Sequence, residues 1–519
     1  MRDSRNLRKK LKDFKMTRTL LILGLTLIGL IGKISGQTWP PAGMAGNGTE
    51  GNPWQINTAA DLEVLVYYLY NHNGDSTEGK YYELLNDIDL NEYADGVGWR
   101  PIGRRDYGYI SGSFQGNFNG NGKVVKNISS NRPDDNIGLF GSIYNATIQN
   151  LGIENCNVTG ENNVGGLVGR SENSTITNCY VTGNVSAHHS NVGGLVGKNE
   201  NSTLINCCVS GSVNGNNSYS YYVGGLVGWN ENSAITGCYT TNKVNGNNNC
   251  VGGMVGYNYN STLINSYATG DVNAKEGIVG GLVGNNINTI ITYCYATGNV
   301  QGDRSVGGLV GASDSLSIIQ NCIAANDSVI ITTSGTLDID RIIGYFGYSK
   351  CNCHNNYALN TTVIQNNNGN VPITNESNKS GISKDMGVFQ MRTFYTEDSN
   401  WSDSIWSIVN PSGIWKICNE ENLPFLRWQG IACEGETGIA TIAQNTMLQV
   451  YPNPTNKELR IESSGLTIEK VEVYSSTGAL LLLENNFNGK ISVSNLVAGV
   501  YLLKIYTDKG LVVRKVVKE

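Results

Sequence analysis

Acidic side chains are the first residues to test for chemistry, because two carboxylates about 5–10 Å apart can cleave a glycosidic bond. The repeated middle of the chain holds Asp271, Asp303 and Asp314, which do not recur at one common offset. Asp338 and Asp340, beside Arg341, are the nearest approach to a catalytic pair. We expect a charged turn at this place, with a polysaccharide-active site as the alternative.

Other patterns of catalysis or metal binding are missing from the sequence. It holds four histidines and neither an HExxH pair nor a GxSxG nucleophile elbow. Cys351, Cys353 and His354 lie close together, but no fourth zinc ligand stands at a suitable spacing, so we expect structural or disulfide-bonded cysteines there. We therefore expect no catalytic residue, no metal and no cofactor.

A column of tyrosines is the best candidate for binding. Tyrosines recur at one position of successive sequence repeats, and Cys208 takes that position in one of them. Strand alternation predicts that this column faces outward. Stacked rings there could bind a sugar ring or a partner, or they could only stiffen the sheet. The candidate exposed binding ladder is Tyr180, Tyr239, Tyr267 and Tyr295.

A repeated motif must position these residues. Successive copies are separated by 28, 31, 28, 28 and 27 residues, a period typical of repeat architectures. Each period holds short runs of Val, Ile, Thr and Tyr between Asn, Ser and Gly, which predicts three strands and three turns, one coil of a parallel β-helix. The motif VGGLVG begins at Val164, Val192, Val223, Val279 and Val306, and the variant VGGMVG begins at Val251.

The alternate residues of the same strand predict the inner face. Cys179, Val181, Gly183 and Val185 are small or apolar at every second position. We expect the cysteine column to consist of buried thiols, with a file of metal ligands or disulfides as alternatives. That column is Cys156, Cys179, Cys207, Cys238, Cys294 and Cys322, with Ser266 in one copy. An asparagine ladder is predicted at the turn positions Asn173, Asn201, Asn232, Asn260 and Asn288.

These letters resemble a known bacterial repeat. The stretch GGLVG is followed by N-S-T-I-x-N-C-Y-x-T-G-N-V, as from Asn173 onward. This combination resembles the GLUG-motif repeat of bacterial secreted and surface proteins, over residues 137–323. The resemblance implies a β-solenoid and an adhesin-like role, although the repeat also occurs in accessory regions of some bacterial metallopeptidases.

The segments before the repeats predict export and an end cap. Residues 2–15 are basic, residues 20–31 are apolar and small residues precede Gln37, which predicts a signal peptide over 1–36. In residues 37–136, predicted to form an N-terminal cap and first coils, apolar residues from Leu62 to Leu69 have a helical period and Thr58 is a candidate N-cap. The net charge of −6 argues against nucleic acid as a partner.

The repeats weaken beyond residue 323. A degenerate copy begins at Ile343, and residues 324–433 are predicted to hold the last coils and a C-terminal cap. Cys418 and Cys433 could be bridged in an exported chain. Residues 434–446 have the composition of a linker. The tryptophans expected to close the last coil are Trp401, Trp406, Trp415 and Trp428.

Residues 447–519 differ in composition and predict a small β-sandwich, with strands at 458–461, 470–474, 479–483, 490–493, 499–506 and 511–517. This part resembles the C-terminal sorting domain of type IX secretion substrates. The resemblance implies a Bacteroidota bacterium, the type IX machinery as partner, and tail removal with attachment to surface lipopolysaccharide or release. The residues that carry it are Tyr451, Pro452, Asn453, Pro454, Gly499, Tyr501, Lys515 and Lys518.

Together these patterns predict an all-β chain: a right-handed parallel β-helix with an N-terminal cap, followed by an Ig-like β-sandwich. The predicted function is a secreted or cell-surface, adhesin-like and non-catalytic protein with an unknown glycan or protein ligand. The alternative is a polysaccharide-active β-helix enzyme or a carbohydrate-binding module.

Overall fold

The computed structural model describes residues 44–71, 77–105, 112–215, 221–247, 250–314, 316–332, 338–347, 351–373, 379–401, 406–408, 413–431, 433, 448–463, 467–475, 480–485, 487–507 and 510–519. The predicted signal peptide and the linker 434–446 lie outside these residues. The chain divides into two compact units, Met1–Phe389 with Thr393–Ser407, and Gln390–Arg392 with Ile408–Glu519. The described helices are Ala59–Asn71, Met386–Phe389 and Arg392–Thr396, and the 3-10 turns are Asn91–Tyr93, Asp398–Asn400 and Arg427–Gln429.

The first unit is a parallel β-solenoid of about eleven turns over the described residues. Val192 pairs in parallel with Val164 on one side and with Val223 on the other. Val279 pairs in the same way with Val251 and Val306. Each sequence repeat is therefore one coil, as the period predicts.

Three sheets run along the solenoid, and their strands are parallel except for the antiparallel pair Val363–Asn366 and Gly369–Asn370 in the large sheet. The two smaller sheets are built from the two halves of VGGLVG. The first-half sheet holds Val164–Gly165, Val192–Gly193, Tyr222–Gly224, Cys250–Gly252, Ile278–Gly280, Ser305–Gly307 and Asp338–Asp340. The second-half sheet holds Phe140–Tyr144, Val168–Glu172, Val196–Glu200, Val227–Glu231, Val255–Tyr259, Val283–Ile287, Val310–Ser313 and Ile343–Phe346.

The large sheet takes the remaining strands of the solenoid. It holds Trp54–Ile56, Tyr81–Leu84, Ile88–Asp89, Asn117–Lys126, Ser129–Asn131, Thr147–Gly160, Thr175–Thr177, Tyr180–Ala187, Thr203–Ile205, Cys208–Gly215, Ala234–Thr236, Tyr239–Thr240, Lys243–Gly246, Thr262–Ile264, Tyr267–Ala268, Val272–Ala274, Ile290–Thr292, Tyr295–Ala296, Val300–Gly302, Ile318–Gln320, Ile323–Ala324, Ser328–Ile331, Asn352–His354, Tyr357–Leu359, Val363–Asn366, Gly369–Asn370 and Ile382–Lys384.

The glycines of VGGLVG are required because neighbouring backbone atoms leave no room for a Cβ. A Cβ placed on Gly224 would lie 2.0 Å from the Val227 carbonyl oxygen and 2.7 Å from the Gly256 nitrogen. Both obstacles are backbone atoms, which cannot rotate away as a side chain can. The two halves of the motif therefore fold back on each other at a distance that only glycine permits.

The interior of the coils follows the predicted alternation. Cys179, Val181 and Val185 are almost completely buried in the solenoid core. A second internal column, which the sequence analysis missed, is a ladder of buried asparagines whose Nδ2 atoms donate to the Oδ1 of the next coil over 2.9, 2.9 and 3.1 Å. Such amide ladders satisfy buried polar groups coil by coil. Its members are Asn199, Asn230, Asn258 and Asn286.

The predicted turn asparagines lie in turns with left-handed backbone, with φ between 47° and 52°. Asn288 Nδ2 donates to Asn260 Oδ1 over 2.6 Å. Asparagine tolerates this conformation better than other residues with a Cβ. The prediction of turns at these positions is therefore confirmed. The residues are Asn173, Asn201, Asn232, Asn260 and Asn288.

The predicted N-terminal helix is present as Ala59–Asn71. Leu62, Leu65 and Leu69 are buried in the solenoid core. Thr58 and Asp61 form a reciprocal cap, because the Asp61 amide donates to Thr58 Oγ1 over 3.3 Å and the Thr58 amide donates to Asp61 Oδ2 over 2.9 Å.

The degenerate last copy begins four residues earlier than predicted. Ile339 pairs with Val306, and Ile343 pairs with Val310. Asp340 and Arg341 therefore stand where earlier copies have two glycines. In the described residues the parallel pairing ends at Ile382–Lys384, within the segment 324–433 that is predicted to hold the last coils and the C-terminal cap.

The second unit is antiparallel throughout its described strands. A hairpin of Trp415–Lys416 and Phe425–Leu426 lies near the disulfide Cys418–Cys433. Two sheets follow and share one apolar core, which is the predicted β-sandwich. They hold Leu448–Tyr451, Glu458–Ser463 and Lys490–Ser492, and Ile468–Ser475, Leu480–Glu484, Gly499–Thr507 and Gly510–Lys518.

Candidate functional site

The predicted tyrosine ladder is one aligned column. Tyr239 and Tyr267 stack with ring centroids 5.2 Å apart, and Tyr267 and Tyr295 stack at 4.6 Å. Tyr180 lies in the same column, beyond Cys208, and its Oη donates to Glu154 Oε1 over 2.8 Å. Burial, followed by this hydrogen bond, raises the pKa of Tyr180.

The prediction that this column is exposed is wrong for its second half. Tyr267 and Tyr295 are only 5% and 3% exposed. Burial holds the pKa of Tyr295 well above its usual value, with Tyr395 close enough to add to the effect. Tyr395 and Trp406 belong to a segment that follows the coils and packs on the same flank. The other half, Tyr180 and Tyr239, is half-buried.

The four tryptophans of the predicted cap are divided between the two units. Trp401 packs edge to face against Tyr357 at 5.0 Å, and Trp406 packs against Tyr293 at 6.0 Å. These two residues therefore cover the flank of the last coils. Trp415 and Trp428 lie in the second unit.

An aligned column of carboxylates exists on the outer face of the second-half sheet, although the sequence analysis found none. Glu172 pairs in register with Glu200, and Glu200 with Glu231. Arg170 Nη2 lies 3.3 Å from Glu172 and 2.6 Å from Glu200, while Lys198 Nζ lies 3.3 Å from Glu200 and 3.7 Å from Glu231. Each carboxylate of the column thus has a cationic partner.

Arg105 also binds Glu172 at the end of this column. Burial raises the pKa of Glu172, but the hydrogen bond and charge of Arg105, together with Arg170, lower it more, so the pKa lies below its usual value. A carboxylate held ionised in this way is a poor general acid. Glu172 therefore fits a structural or binding surface better than the acid of a glycosidase pair.

Beside the ionic column lies an aromatic patch, defined by Tyr222, Trp229, Tyr257 and Tyr259. Tyr222 contacts Trp229 with centroids 5.2 Å apart and Tyr257 at 4.8 Å. Tyr257 and Tyr259 are nearly parallel, with an angle of 14° between the rings. All four side chains are half-buried. The signal that could have found them is the set of residues within three positions of each motif copy, which vary while the motif itself is nearly constant.

Asp338 and Asp340, the acidic pair of the enzyme alternative, lie at the end of the solenoid, where Asp340 accepts hydrogen bonds. Ser380 Oγ donates to Asp340 over 2.7 and 2.8 Å, and the Arg341 amide donates to it over 2.8 Å. The Arg341 guanidinium is fully buried and donates to the carbonyl oxygens of Leu359 and Gly381. Burial raises the pKa of both Asp338 and Asp340. Asp340 and Arg341 thus hold together the end of the solenoid.

The inner cysteine column consists of buried free thiols in the described residues, while Cys351 and Cys353 form a disulfide. Burial raises the pKa of Cys179 well above its usual value. The same residues contain no cluster of three or more His, Cys, Asp or Glu side chains suited to a metal ion.

We expect the free thiols of the native protein to react slowly with a thiol reagent such as DTNB at pH 8, and to react fully in guanidinium. Cys179 is 1% exposed, whereas Cys208 is half-buried and burial raises its pKa to about 11. Because the thiolate is the reactive form, labelling of Cys208 should rise about tenfold per pH unit below that pKa. A Cys208→Ser variant shows which part of the slow labelling comes from Cys208. Rapid labelling of Cys179 in the native protein would mean that the inner and outer faces of the strand are assigned the wrong way round.

The predicted sorting residues meet in the folded sandwich. The Val517 amide donates to Asn453 Oδ1 over 2.8 Å, and the Thr455 amide donates to the Val517 carbonyl over 2.9 Å. Gly499 pairs with Lys518 across the last two strands. The opening and closing segments of the tail, whose residues Asn453 and Val517 are 64 residues apart in sequence, therefore adjoin.

The predicted sorting residues thus lie in a folded domain to which both ends of the tail contribute.

The remaining sorting residues have defined surroundings. Tyr501 is buried in the core of the sandwich, and its Oη donates to the Val497 carbonyl over 2.6 Å. Tyr451 Oη binds the Glu462 carboxylate, and this hydrogen bond raises the pKa of Tyr451. Pro452 and Pro454 each follow a cis peptide bond. Lys515 lies in the last strand, where its backbone pairs with that of Leu502.

Fold and surface together define a repeat protein: a β-solenoid followed by a small β-sandwich. Residues 449–519 match the secretion system C-terminal sorting domain. The GLUG motif matches five times, at residues 160–186, 188–214, 219–245, 247–273 and 276–301. The chain is therefore a GLUG-repeat protein with a C-terminal sorting domain, which marks it as a secreted or cell-surface protein exported by a type IX secretion system.

The similar proteins share only part of the chain. A protein of Evansella cellulosilytica described as a Gly-rich membrane protein is 40% identical over 22% of this chain and 12% of its own length. Halomucin of Haloquadratum walsbyi is 35% identical over 23% of this chain and 1% of its own length. The chain thus spans a small part of these curated relatives.

A solved structure from Bacteroides ovatus, described as an immunoglobulin A1 protease, covers 74% of this chain and 94% of its own, with 18% identity and a TM-score of 0.38. Among the helices that the structure describes, none is long and apolar enough to cross a membrane.

Proposed function

We propose that this protein is an adhesin-like binding solenoid that acts without catalysis at the outer face of the outer membrane. The proposal rests on a difference between two groups of side chains on the outer face of the second-half sheet. The aligned carboxylates there are all held by arginine or lysine, whereas the neighbouring aromatic rings remain partly accessible. Neutralised carboxylates and accessible rings suit recognition, because aromatic side chains dominate binding surfaces.

The proposal includes a route to that location. The predicted signal peptide takes the chain to the periplasm, and the sorting domain is recognised by the type IX machinery. The tail is then removed, and the solenoid is attached to surface lipopolysaccharide or released. The separate apolar core of the sandwich supports this role, because a tail with its own core can be removed without opening the solenoid.

Incubating the exported protein with plant and host polysaccharides tests the non-catalytic part of the proposal. We expect binding to some of them and no release of new reducing ends. Release of reducing ends that is lost in a correctly folded Asp338→Asn variant would instead support the polysaccharide-active alternative. Asp338 is the better choice for this variant, because Asp340 accepts hydrogen bonds that hold the end of the solenoid.

A further inference from the structure

The aromatic patch occupies positions at which other coils carry side chains of several different types. Trp229 pairs in register with Lys198 in one neighbouring coil and with Tyr257 in the other. Tyr257 pairs onward with Asn285, and Asn285 with Ala312. Lysine, asparagine and alanine therefore serve equally well at this place in the coil. The rings are not needed to build the solenoid.

Tyr222 and Tyr259, the other two rings of the patch, also stand at positions where neighbouring coils carry different side chains. Tyr222 pairs with Cys250 in the next coil, where the side chain is a small thiol. Tyr259 lies between Glu231 and Ile287. A cluster of aromatic residues confined to neighbouring coils, at positions where the repeat tolerates other side chains, indicates a specific use for that part of the surface.

The packing of Trp229 is also unusual for a purely structural residue. Its Nε1 has no hydrogen-bond partner within the part of the chain that the structure describes. A buried donor without a partner costs stability, and the asparagine or lysine of the equivalent coils would avoid this cost. Packing alone holds the ring, between Tyr222, Tyr257 and the Lys198 ammonium, which lies 4.4 Å from the ring centroid.

The charges around the patch are already paired. Lys198 contacts Glu200 and Glu231, so the cation nearest to Trp229 has no surplus charge to offer an anionic ligand. The same pairing leaves carboxylate oxygens at the rim of the rings, where they can accept hydrogen bonds. Aromatic faces bordered by paired polar groups suit a ligand that is uncharged, rich in hydroxyl groups and apolar on the faces of its rings.

We infer that the aromatic patch is a binding site for a neutral glycan chain, whose sugar rings lie on Tyr257, Tyr259 and the exposed edge of Trp229. The chain would run along the solenoid from coil to coil, with Glu231 accepting hydrogen bonds from its hydroxyl groups. This inference rests on the proposed binding function and gives it a place and a ligand class. It differs from the tyrosine ladder, half of which is covered.

The test uses the full chain in native gels that contain β-glucan, galactomannan or dextran, with heparin as the anionic comparison. The variant is Trp229→Lys combined with Tyr257→Asn, which installs the residue types that neighbouring coils already carry and so keeps the coil intact. The control is Tyr345→Ala, in the same column of the last coil, where Tyr345 is 43% exposed and its neighbour is Ala312.

We expect at least one neutral polysaccharide to retard the wild-type protein and the Tyr345→Ala variant equally. The double variant should lose about tenfold or more in affinity, as expected when central aromatic contacts are removed. Retardation by heparin alone, by no neutral polysaccharide, or equally for the double variant would overturn the inference. Equal binding by the double variant would be consistent with the proposed binding function but not with the aromatic patch as its site. Release of reducing ends by the wild-type protein would contradict the proposed non-catalytic function, and it would not contradict glycan binding by the patch.

Discussion

Replacing Gly252 by alanine is expected to lower the free energy of unfolding by about 3 kcal/mol or more, at the upper end for overpacking. The added Cβ would lie 2.0 Å from the Val255 carbonyl oxygen and 2.7 Å from the Gly284 nitrogen. Since Val255 belongs to the same coil and Gly284 to the next, relief of one contact shifts both coils. Urea unfolding followed by far-UV circular dichroism measures the effect.

The control is the same change at Gly387, where nothing lies within 4 Å of the added Cβ. This glycine is in the helix Met386–Phe389, so alanine there should leave stability unchanged or raise it slightly. Equal unfolding curves for the two variants would contradict the account of VGGLVG as a motif fixed by close backbone approach.

The coils and their inner face could be predicted from the sequence because both are periodic. A spacing near 28 residues identifies a coil, and alternation within it places Cys179 and Val181 inside. The turn asparagines follow from the same repetition. Each of these features depends on local sequence repeated many times, which is the case where pattern and structure agree best.

The cover over Tyr267 and Tyr295 could not be predicted in this way. Alternation along the strand correctly places the Tyr267 and Tyr295 rings on the outer face of the coil. The residues that bury the flank, including Tyr395 and Trp406, come 100 to 139 residues later in the chain (395−295 and 406−267) and share no period with the repeats. Burial by a distant, non-repeating segment leaves no mark in the local pattern.

The degenerate copy at Ile339 was misplaced because its glycines are replaced. Ile343-Gly344 matches the second half of the motif, while Asp340 and Arg341 hide the first half. The aromatic patch escaped notice for the opposite reason. Its residues lie just outside a nearly constant motif, and only the register between coils shows that Trp229 and Tyr257 are neighbours.

Removing residues 447–519 is expected to abolish appearance of the protein outside the cell in a host with type IX machinery. The tail matches the sorting domain, and the sandwich has its own core, so its loss should leave the solenoid folded. The truncated chain should therefore accumulate in the periplasm as folded protein. A chain that lacks residues 164–191, one complete coil, but keeps the tail is the matched control and should be exported.

Detection of the solenoid on intact cells, compared with the same cells after permeabilisation of the outer membrane, is the most direct test that this is an exported surface protein. An antibody against the solenoid should stain intact cells that make the full chain, and should stain cells that make the truncated chain only after permeabilisation. Staining of intact cells to the same level by both chains would contradict the assignment of the tail as the export signal.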